Sequence, residues 1–489
     1  MLLRDLLREA GFAAAEVENI EISGITADTR RAEAGNLFVA LRGLAVDGSA
    51  YVSEAAEKGC CFVVSERPCR ELPCLVVENA REALARLFDA WYGHPARQMS
   101  LIGVTGTNGK TSVSSLLFAI LRHAGHSCGL IGTVGCRCDD EQLDCGAGQG
   151  LANMTTPDPD VLYRLLAEMR ARGAEYVIAE VTSHALAFGK VAPLFWKRAV
   201  FTNLTPDHLD LHGDMESYFL EKKKLFERTE CAVVSCRGFY GNRLAQALDI
   251  PAYCISPETL SEVTLHGSDG VSFRLSLPML DECQLYLPIA GEFSVENGAL
   301  AAATALSLGI SSKVVQDAFL RFTGVRGRLE RVAPNPFGVE VFLDYAHTPD
   351  ALEKLLLTAR GFRREGQRIL LLFGCGGDRD RGKRAAMGRI ASRLADFVIV
   401  TSDNSRSEDP KRILQDILKG IDKEKPFIVI PDRRAAIAWA VKHAAPHDIL
   451  LLAGKGHEEY EIRAGERHPF SERAILVECF RERAEGVEL

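Results

Sequence analysis

Leu101–Ser112, which reads LIGVTGTNGKTS, is the stretch that decides the fold of this chain. An apolar strand leads into a glycine-rich bend, and Lys110 and Thr111 follow at the start of a helix. Glycines let the backbone turn with its N–H groups pointing inward, and the helix N-terminus adds partial positive charge. Lys110 can reach the β- and γ-phosphates of a nucleotide, and the Thr111 hydroxyl can bind Mg²⁺. The strict pattern places Gly where Val104 stands, yet the layout predicts a nucleoside triphosphate site rather than a turn that only caps a helix.

The composition is that of a globular protein with several domains. The chain has 489 residues, too many for one hydrophobic core, of which 47% are hydrophobic and 25% charged. The net charge of −8 argues against a nucleic-acid partner, which requires a basic surface. The fourteen cysteines form no repeated Cys-x-x-Cys pair, so we expect reduced thiols and no zinc site.

The sequence also favours a cytoplasmic protein without a membrane span. No apolar run approaches the roughly 18 residues that a span requires. Residues 1–12, MLLRDLLREAGF, carry Leu at helical spacing together with Asp5 and Glu9, so they predict an amphipathic helix and not a signal peptide. We expect a monomer that binds small molecules.

Alternating strands and helices predict an α/β protein with three domains. We expect an N-terminal domain (1–98), a central ATPase domain with a P-loop-type parallel sheet (99–330) and a C-terminal, doubly wound, Rossmann-like domain (331–489). The segment 254–290 alternates polar and apolar residues and predicts an antiparallel edge. The strands predicted for the C-terminal domain are 339–343, 368–373, 397–401, 427–430 and 449–453.

Polar clusters of the central domain lie beyond the carboxyl ends of its predicted strands, where ligands bind in an open α/β sheet. Glu180 lies at the end of strand 176–181, and His208 lies in the loop after strand 199–202. Both are candidate metal ligands beside the Thr111 hydroxyl, although an imidazole suits Mg²⁺ less well than a carboxylate does. A capping or hydrogen-bonding role is the alternative for His208.

Four polar loops follow strands of the predicted C-terminal sheet. They are residues 344–350, 374–381, 403–410 and 454–458. Within them, Arg379 and Arg406 offer guanidinium groups for a carboxylate, and Glu458 offers an anion for an amine. A zwitterionic amino acid requires that combination, so the loops predict an amino-acid site.

Five motifs follow one another along the chain: Gly-Thr-Asn-Gly-Lys-Thr (106–111), Asp-His-Leu-Asp (207–210), Asp-Tyr-Ala-His-Thr-Pro-Asp-Ala-Leu (344–352), Gly-Cys-Gly-Gly-Asp-Arg-Asp (374–380) and Gly-Lys-Gly-His-Glu (454–458). Together and in this order they resemble the motifs of the Mur ligases, the ATP-dependent family that builds the peptidoglycan stem peptide. The resemblance covers essentially the whole chain and is greatest to the ligases that add meso-diaminopimelate. It implies an ATP-dependent amide ligase that extends UDP-MurNAc-L-Ala-D-Glu through an acyl phosphate.

The resemblance implies a role for each matching residue in ATP and metal binding. ATP would contact Gly106, Thr107, Asn108, Gly109, Lys110, Thr111, Asn297, Arg328 and Asp344. Magnesium would be held by Thr111, Glu180, His208 and Lys222, the last as a carbamate formed with CO₂. Lys110, His208 and Lys222 would be the catalytic groups, and Lys223 or Lys224 could be mistaken for Lys222 because the three are adjacent.

Two substrate sites are implied as well. The UDP-sugar peptide would contact Thr29, Thr155, Thr156, Thr182 and Lys190. Some relatives have Ser, Gln and Arg where this chain has Thr182, Phe188 and Lys190, so an amide is lost at Phe188. The diaminopimelate would contact Arg379, Asp403, Asn404, Ser405, Arg406, Gly454 and Glu458.

The choice of acceptor depends on the loop at 403–406. Diaminopimelate-adding relatives resemble one another in the motif Asp-Asn-Pro-Arg, and this chain reads Asp-Asn-Ser-Arg. The retained Arg406 favours a substrate with a distal carboxylate over lysine, while the loss of Pro frees φ and adds an N–H. A lysine-adding ligase, a folylpolyglutamate synthetase and a regulatory P-loop ATPase are the alternatives.

Overall fold

A computed structural model describes residues 1–43, 47–146, 154–332 and 335–486. The chain divides into two compact units. The first comprises Met1–Thr259, Leu277–Asp281 and Ala299–Val315, and the second comprises Leu260–Ser276, Glu282–Gly298 and Gln316–Leu489. Alternating helices and parallel strands confirm the predicted α/β class. The domain boundaries near residues 98 and 330 stay a prediction.

The first unit begins with a small parallel sheet and three helices. The strands are β1 (Gly24–Thr26), β2 (Asn36–Val39), β3 (Phe62–Ser65) and β4 (Cys74–Val76), and the helices are α1 (Leu3–Glu9), α2 (Val52–Glu57) and α3 (Ala80–Trp91). The strands lie in the order β1-β2-β3-β4 and pair in parallel. Helix α1 buries Leu3, Leu6 and Leu7, which confirms the amphipathic helix expected at the start of the chain.

An eight-stranded sheet follows in the same unit. Its strands are β5 (Ser100–Thr105), β6 (Cys128–Gly132), β7 (Gly135–Cys138), β8 (Glu141–Leu143), β9 (Tyr176–Glu180), β10 (Arg198–Phe201), β11 (Ala232–Ser235) and β12 (Ala252–Ile255). The accompanying helices are α4 (Lys110–His123), α5 (Pro159–Ala171), α6 (Ser183–Ala187), α7 (Leu209–His212), α8 (Met215–Lys223) and α9 (Phe239–Gln246). The order is β12-β11-β10-β5-β9-β6-β7-β8, with β7 and β8 antiparallel and the rest parallel. The phosphate-loop strand β5 is therefore central, and its short buried run is typical of parallel strands covered on both faces.

The second unit contains a three-stranded sheet, a six-stranded sheet and a hairpin. The strands are β13 (Leu260–Leu265), β14 (Val271–Leu275), β15 (Cys283–Leu287), β16 (Glu330–Arg331), β17 (Glu340–Asp344), β18 (Ile369–Phe373), β19 (Phe397–Val400), β20 (Phe427–Val429), β21 (Ile449–Ala453), β22 (Tyr460–Arg463) and β23 (Glu466–Pro469). Strands β13 to β15 pair antiparallel, as predicted for 254–290, but they form a sheet of their own and not an edge of the parallel sheet. Strands β14 and β15 alternate between buried and less buried residues, which is typical of a sheet with one face on a core, whereas β13 is mostly exposed.

The six-stranded sheet has the order β16-β17-β21-β18-β19-β20, and every pair except β16 with β17 is parallel. All five strands predicted for the C-terminal domain are present. The four polar loops follow β17, β18, β19 and β21, so they lie along one edge of the sheet. The remaining helices are α10 (Glu292–Ser307), α11 (Ser312–Arg321), α12 (Pro349–Phe362), α13 (Gly382–Leu394), α14 (Pro410–Leu418), α15 (Arg433–His443) and α16 (Glu472–Glu485). Among the described residues, no helix is both long and apolar enough to cross a membrane.

Candidate functional site

The backbone of the glycine-rich loop after β5 requires two of its glycines. Gly106 has φ +145° and Gly109 has φ +86°, and a Cβ on Gly106 would lie 1.9 Å from the Thr202 hydroxyl oxygen. Val104, by contrast, lies inside β5, is fully buried and pairs with Glu180 of β9. The departure from the strict pattern therefore falls in the strand and not in the bend, where the conformational demand lies.

Contacts with the segment after β10 hold this loop in place. The Thr202 hydroxyl donates to the Asn108 carbonyl at 2.6 Å, and the Asn108 N–H donates to Asn203 Oδ1 at 3.0 Å. The Thr107 N–H donates to the Asn203 carbonyl at 2.9 Å, and the Thr107 hydroxyl donates to the Thr205 carbonyl at 3.2 Å. The two strand-end loops converge, as the sequence predicts, because β5 and β10 are neighbours in the sheet.

Two lysines bring positive charge to the loop. Lys110, at the start of α4, donates to the carbonyls of Gly106 and Thr107, both at 2.9 Å. Lys222 of α8 is 1% exposed and donates to the same Gly106 carbonyl at 2.9 Å. Burial, reinforced by the charge of Lys110, holds the pKa of Lys222 well below its usual range. Loss of a proton from Lys222 is therefore easier than from an exposed lysine.

Lys222 is the buried member of the lysine run, whereas Lys224 is exposed and pairs with Glu221 at 2.8 Å. One helical turn before Lys222, the Tyr218 ring centre lies 4.7 Å from the Lys222 nitrogen. The Tyr218 hydroxyl is 3.2 Å from that of Thr107. Helix α8 thus turns one lysine toward the loop and leaves another in solvent, as three adjacent helical positions must.

A fully buried carboxylate lies beside the loop. Glu180, 1% exposed, accepts hydrogen bonds from the Thr111 hydroxyl at 3.0 Å, from the Thr133 N–H at 3.0 Å and from the Thr133 hydroxyl at 2.9 Å. Hydroxyl and carboxylate oxygens suit Mg²⁺, which commonly completes its coordination with phosphate oxygens and water. Thr111 and Glu180 offer two oxygen ligands of the kind that this ion prefers. In the described part of the chain, no group of three His, Cys, Asp or Glu side chains could hold a metal by itself.

His208 lies just before α7, with φ +52° and a side chain about half exposed. Its Nε2 is 3.5 Å from the Asp207 carboxylate, and its ring centre is 4.9 Å from that of His184. His184 belongs to α6, which follows β9 and Glu180 in the chain. These contacts bring His208 to the same edge of the sheet, and its role as a metal ligand stays a prediction.

Three of the residues expected to hold the UDP-sugar peptide contact one another. The Thr156 hydroxyl donates to the Glu180 carbonyl at 2.8 Å and accepts a hydrogen bond from the Thr182 N–H at 3.0 Å. The Thr156 and Thr182 hydroxyls are 3.2 Å apart. Lys190, 7% exposed, donates to the Thr156 carbonyl at 3.4 Å and pairs with Asp158 at 2.8 Å. These side chains form a small polar cluster after β9.

Thr155 and Thr29 complete the expected set. The Thr155 hydroxyl is 3.1 Å from that of Thr133, which in turn binds Glu180, so Thr155 lies between the threonine cluster and the buried carboxylate. Thr29 is buried at the start of a short 3₁₀ turn. Arg31 of that turn pairs with Asp160 of α5 at 2.9 Å, which ties the N-terminal sheet to the central part of the same unit.

Phe188, where some relatives have Gln, packs against an arginine. The Arg81 guanidinium, on α3, is 4.4 Å from the centre of the Phe188 ring, a cation–π distance. Arg81 also donates to the Arg42 carbonyl at 2.8 Å. The aromatic side chain at 188 therefore has a defined partner, although its relation to the substrate stays a prediction.

The three further residues expected at the nucleotide belong to the second unit. Asp344, the last residue of β17, accepts hydrogen bonds from two backbone N–H groups at 2.6 and 2.8 Å. Burial raises the pKa of Asp344, and the nearby Arg328 charge opposes that rise. The Arg328 guanidinium lies 5.0 Å from the centre of the Tyr345 ring. Asn297 lies on α10, within the part of that helix that belongs to this unit.

The loops after β19 and β21 form a polar cluster that is almost wholly buried. Asn404 accepts hydrogen bonds at Oδ1 from Lys455 at 3.2 Å and from a backbone N–H at 2.9 Å, and its Nδ2 donates to Glu458 at 2.8 Å. Lys455 is fully buried, with its nitrogen 3.3 Å from Glu458 and 3.7 Å from Asp403. The neighbouring Ser405 is 3% exposed. Two carboxylates, one amide and one ammonium group thus meet at the edge where the sequence predicts an amino-acid site.

The charges of this cluster affect one another. Burial raises the pKa of Glu458, with Lys455 acting in the opposite direction. Burial also acts to raise the pKa of Asp403, but Lys455 and Arg433 outweigh it and lower that pKa. Gly454 leaves room for Asp403, because its φ is +113° and a Cβ there would lie 2.9 Å from Asp403 Oδ2.

Arg406 borders this cluster with a strained backbone, at φ +52°. Its Nη1 donates to the Gly377 carbonyl at 2.7 Å. Asp378 accepts hydrogen bonds from the N–H of Ser407 at 3.1 Å and from its hydroxyl at 2.8 Å, which joins the loops after β18 and β19. Arg379, next to Asp378, is exposed and donates to the Asp378 carbonyl at 3.2 Å. The predicted arginines therefore lie on loops that contact each other.

Sequence reasoning missed four residues of these clusters: Thr133, Lys455, Arg81 and Arg433. Thr133 follows β6 and Lys455 follows β21, so their position at strand ends is a feature that could have identified them. Arg81 and Arg433 lie on helices, where an arginine in an amphipathic pattern indicates only a polar face.

Comparisons with known proteins agree along the length of the chain. Three profiles match successive segments: the Mur ligase family catalytic domain matches residues 21–92, the Mur ligase middle domain matches 104–306, and the Mur ligase glutamate ligase domain matches 327–456.

Individual relatives match over almost their full length. The UDP-N-acetylmuramoyl-L-alanyl-D-glutamate–2,6-diaminopimelate ligase of Clostridioides difficile strain 630 is 38% identical over 472 residues, which are 94% of this chain and 95% of the relative. The ligase of the same name from Caldanaerobacter subterraneus subsp. tengcongensis is 39% identical over 99% of both chains. A solved structure of a ligase with this name has a TM-score of 0.69 at 27% identity, covering 99% of this chain and 100% of the other.

Proposed function

The chain belongs to the Mur ligase family, and we propose that it joins meso-diaminopimelate to UDP-MurNAc-L-Ala-D-Glu with ATP as the energy source, a step in peptidoglycan precursor synthesis. One observation supports an amino acid as the acceptor. Asp403, Asn404, Lys455 and Glu458 form a buried polar cluster, and Arg406 borders it. Carboxylates suit the ammonium group of an amino acid, and a guanidinium suits its carboxylate. The relatives named above, which are diaminopimelate ligases, support the same substrate.

The glycine-rich loop is the proposed ATP site. The N–H groups at the start of α4 favour phosphate oxygens, and Lys110 adds a positive charge. Residues 106–111 would contact the phosphates, and the family resemblance adds Asn297, Arg328 and Asp344 as nucleotide contacts. Magnesium, with Thr111, Glu180, His208 and Lys222 as its proposed ligands, would neutralise negative charge on the phosphates when bound.

Lys222 is the proposed site of carbamylation. A carbamate forms when a neutral amine attacks CO₂ and loses a proton, and the product is an anion able to bind a cation. The match of Lys222 to the family lysine and its complete burial beside the loop support this. Enzyme equilibrated with ¹³CO₂ should show a carbamate carbonyl signal by ¹³C NMR that persists in Lys223→Arg and is absent in Lys222→Arg. A signal that survives in Lys222→Arg would place the modification elsewhere.

The UDP-sugar peptide is proposed to bind at the threonine cluster of the first unit. Thr155, Thr156, Thr182 and Lys190 offer hydroxyl groups and a cation within a few ångströms of one another, and Thr29 lies on the turn joined to α5. Hydroxyls and a cation suit a ligand with sugar, diphosphate and carboxylate groups.

The proposed chemistry has two steps. The D-glutamyl carboxylate oxygen attacks the γ-phosphorus of ATP, ADP leaves, and an acyl phosphate forms; Lys110 stabilises the charge on the transferred group. The amine of diaminopimelate then attacks the acyl carbon, the tetrahedral intermediate expels phosphate, and the nitrogen loses a proton. Asp403 and Glu458 would bind the amino group of that substrate and Arg379 and Arg406 its carboxylates, so that the attacking amine is oriented. No side chain is required as a covalent nucleophile.

One assay separates this function from its alternatives. Phosphate release is measured with ATP and UDP-MurNAc-L-Ala-D-Glu, alone and with meso-diaminopimelate or lysine. The proposal requires release that depends on both the sugar peptide and diaminopimelate. Release stimulated by lysine alone would indicate a lysine-adding ligase, and release that ignores both substrates would indicate a regulatory ATPase. The monomeric and cytoplasmic states expected from the sequence stay predictions.

A further inference from the structure

Arg433, the first residue of α15, is completely buried next to the proposed amino-acid site. Its Nη1 donates to the Ser402 carbonyl at 2.9 Å, and its Nη2 donates to the Ala453 carbonyl at 2.8 Å. Its Nε donates to Glu472 Oε1 at 2.9 Å. These acceptors belong to the loop after β19, the end of β21 and the first turn of α16. One side chain therefore links three segments that are distant in sequence.

The two carbonyls occupy particular positions in the site. Ser402 directly precedes Asp403, and Ala453 directly precedes Gly454. Strand β18 lies between β19 and β21, so these two strands are not hydrogen-bonded to each other. Arg433 spans that gap, and its planar guanidinium has a fixed separation between donors. It thereby sets the spacing between the two loops whose side chains form the buried cluster.

Stability alone does not account for this arginine. Its partner Glu472 is 2% exposed, and Glu472 Oε2 has no hydrogen-bond partner within the described residues. Removing two charges from water costs about as much as their attraction returns, and apolar replacements of buried ion pairs are often neutral or stabilising. The charge does act on the site, because Lys455 and Arg433 lower the pKa of Asp403 against the effect of burial.

We propose that Arg433 is a positioning residue for the amino-acid acceptor. By holding the Ser402 and Ala453 carbonyls, it fixes the relative position of the two loops that carry Asp403 and Glu458, without contacting the substrate itself. The inference rests on the proposed function, since it concerns the acceptor of that reaction. It predicts an effect on the amino acid and not on the nucleotide.

The opposite edge of the same sheet provides a matched control. Arg368 precedes β18 and Asp448 precedes β21, and the guanidinium contacts the carboxylate at 2.5 Å through Nη2 and 3.2 Å through Nε. Asp448 is 2% exposed. This pair joins the amino ends of β18 and β21, whereas ligands bind at the carboxyl ends of parallel strands. Removing this ion pair therefore shows how a weakened sheet by itself changes the KM values.

The test is the KM for each substrate in steady-state phosphate release. Arg433→Lys keeps the positive charge but loses the planar guanidinium with its several N–H donors, and Arg433→Met loses both the charge and the donors. We expect Arg433→Met to raise the KM for diaminopimelate at least about tenfold while the KM for ATP stays within about twofold, and Arg433→Lys to lie between wild type and Met. Arg368→Met should lower the thermal midpoint and leave the diaminopimelate KM within about twofold.

The inference is overturned if Arg433→Met leaves the diaminopimelate KM within about twofold, or if Arg368→Met raises it equally. Should Arg433→Met fail to fold, Arg433→Lys and Glu472→Gln are judged by the same criterion. The wild-type enzyme tests the proposed function separately. If it accepts lysine instead, the comparison is made with lysine; if it responds to neither amino acid, the proposed function fails and the inference fails with it.

Discussion

Replacing Arg406 by Met should impair the use of meso-diaminopimelate far more than the use of lysine. Arg406 Nη1 donates to the Gly377 carbonyl at 2.7 Å and to the Asn404 carbonyl at 3.5 Å. Its Nη2 and Nε donate to no group in the part of the chain that the structure describes. Those two nitrogens form one edge of the guanidinium, and such an edge binds a carboxylate through two parallel hydrogen bonds.

The size of the effect follows from those two bonds. Two charge-assisted hydrogen bonds contribute about 3 kcal/mol together. At about 1.4 kcal/mol for each factor of ten, kcat/KM for diaminopimelate should fall about 150-fold in Arg406→Met. Lysine has no distal carboxylate, so its kcat/KM should change by about twofold at most. The lost bond to Gly377 costs about 1 kcal/mol of folding stability, which the unit can tolerate.

Phosphate release at saturating ATP and UDP-MurNAc-L-Ala-D-Glu, with each amino acid varied, gives the required ratio of specificities. Arg406→Lys keeps the charge without the fork, and its loss should be about tenfold. Arg434→Met is the matched control, because the Arg434 side chain is 53% exposed on α15 and pairs with Glu478. If Arg406→Met leaves the ratio of diaminopimelate to lysine unchanged, the distal carboxylate is held elsewhere and the specificity argument is wrong.

Three further outcomes are expected. Glu180→Gln keeps the shape of a buried side chain but removes its charge, so the Mg²⁺ concentration for half-maximal activity should rise about tenfold or more in a metal titration; an unchanged titration would exclude Glu180 as a ligand. Thr156→Val leaves the Thr182 N–H and a carbonyl without their partner, at about 1–3 kcal/mol each, and the urea midpoint should fall accordingly. Hydrogen bonding to Arg384 lowers the pKa of Glu408 from 4.5 to about 2, so this stabilisation is present above pH 4.5 and is lost as pH falls toward 2. Acid unfolding of Glu408→Gln should lack that component, and identical acid transitions would contradict the assignment.

Residues at strand ends could be predicted because parallel strands bring their carboxyl ends to one edge of a sheet. Thr111 and Glu180 are 69 positions apart, and Asn404 and Glu458 are 54 apart, yet each pair is joined by a hydrogen bond. Apolar runs identify the strands, and the alternation of strands with helices indicates that the sheet is parallel. The residues that share its ligand-binding edge can then be predicted. Which side chains pair within each cluster depends on side-chain geometry, and the spacing of residues along the sequence does not specify that geometry.

Residues that act from helices could not be predicted in this way. Arg433 binds two carbonyls and Arg81 lies against an aromatic ring, and neither kind of partner has a sequence pattern. The helical period identifies both only as polar positions. At Val104 the sequence pattern is misleading in the opposite way, because it indicates a mismatch that has no structural consequence. Val104 still lies in the strand, which ends one residue later, and the glycines that the bend needs are present.

Lys110 and Lys222 both donate to the Gly106 carbonyl at 2.9 Å. The proposed phosphate-binding lysine and the proposed carbamylation site therefore share one hydrogen-bond acceptor. Burial and the repulsion from the charge of Lys110 both lower the pKa of Lys222. A bound phosphate group would add negative charge beside Lys110. Conversion of Lys222 to a carbamate would reverse its charge and remove the repulsion. The glycine-rich motif identifies only Lys110, whereas the fold brings α8 against the loop and lowers the pKa of Lys222, which makes the neutral amine that CO₂ requires easier to form. A bound phosphate adds negative charge beside Lys222, and a carbamate is itself an anion, so nucleotide without metal should disfavour the modification; the ¹³C carbamate signal with and without ATP measures this.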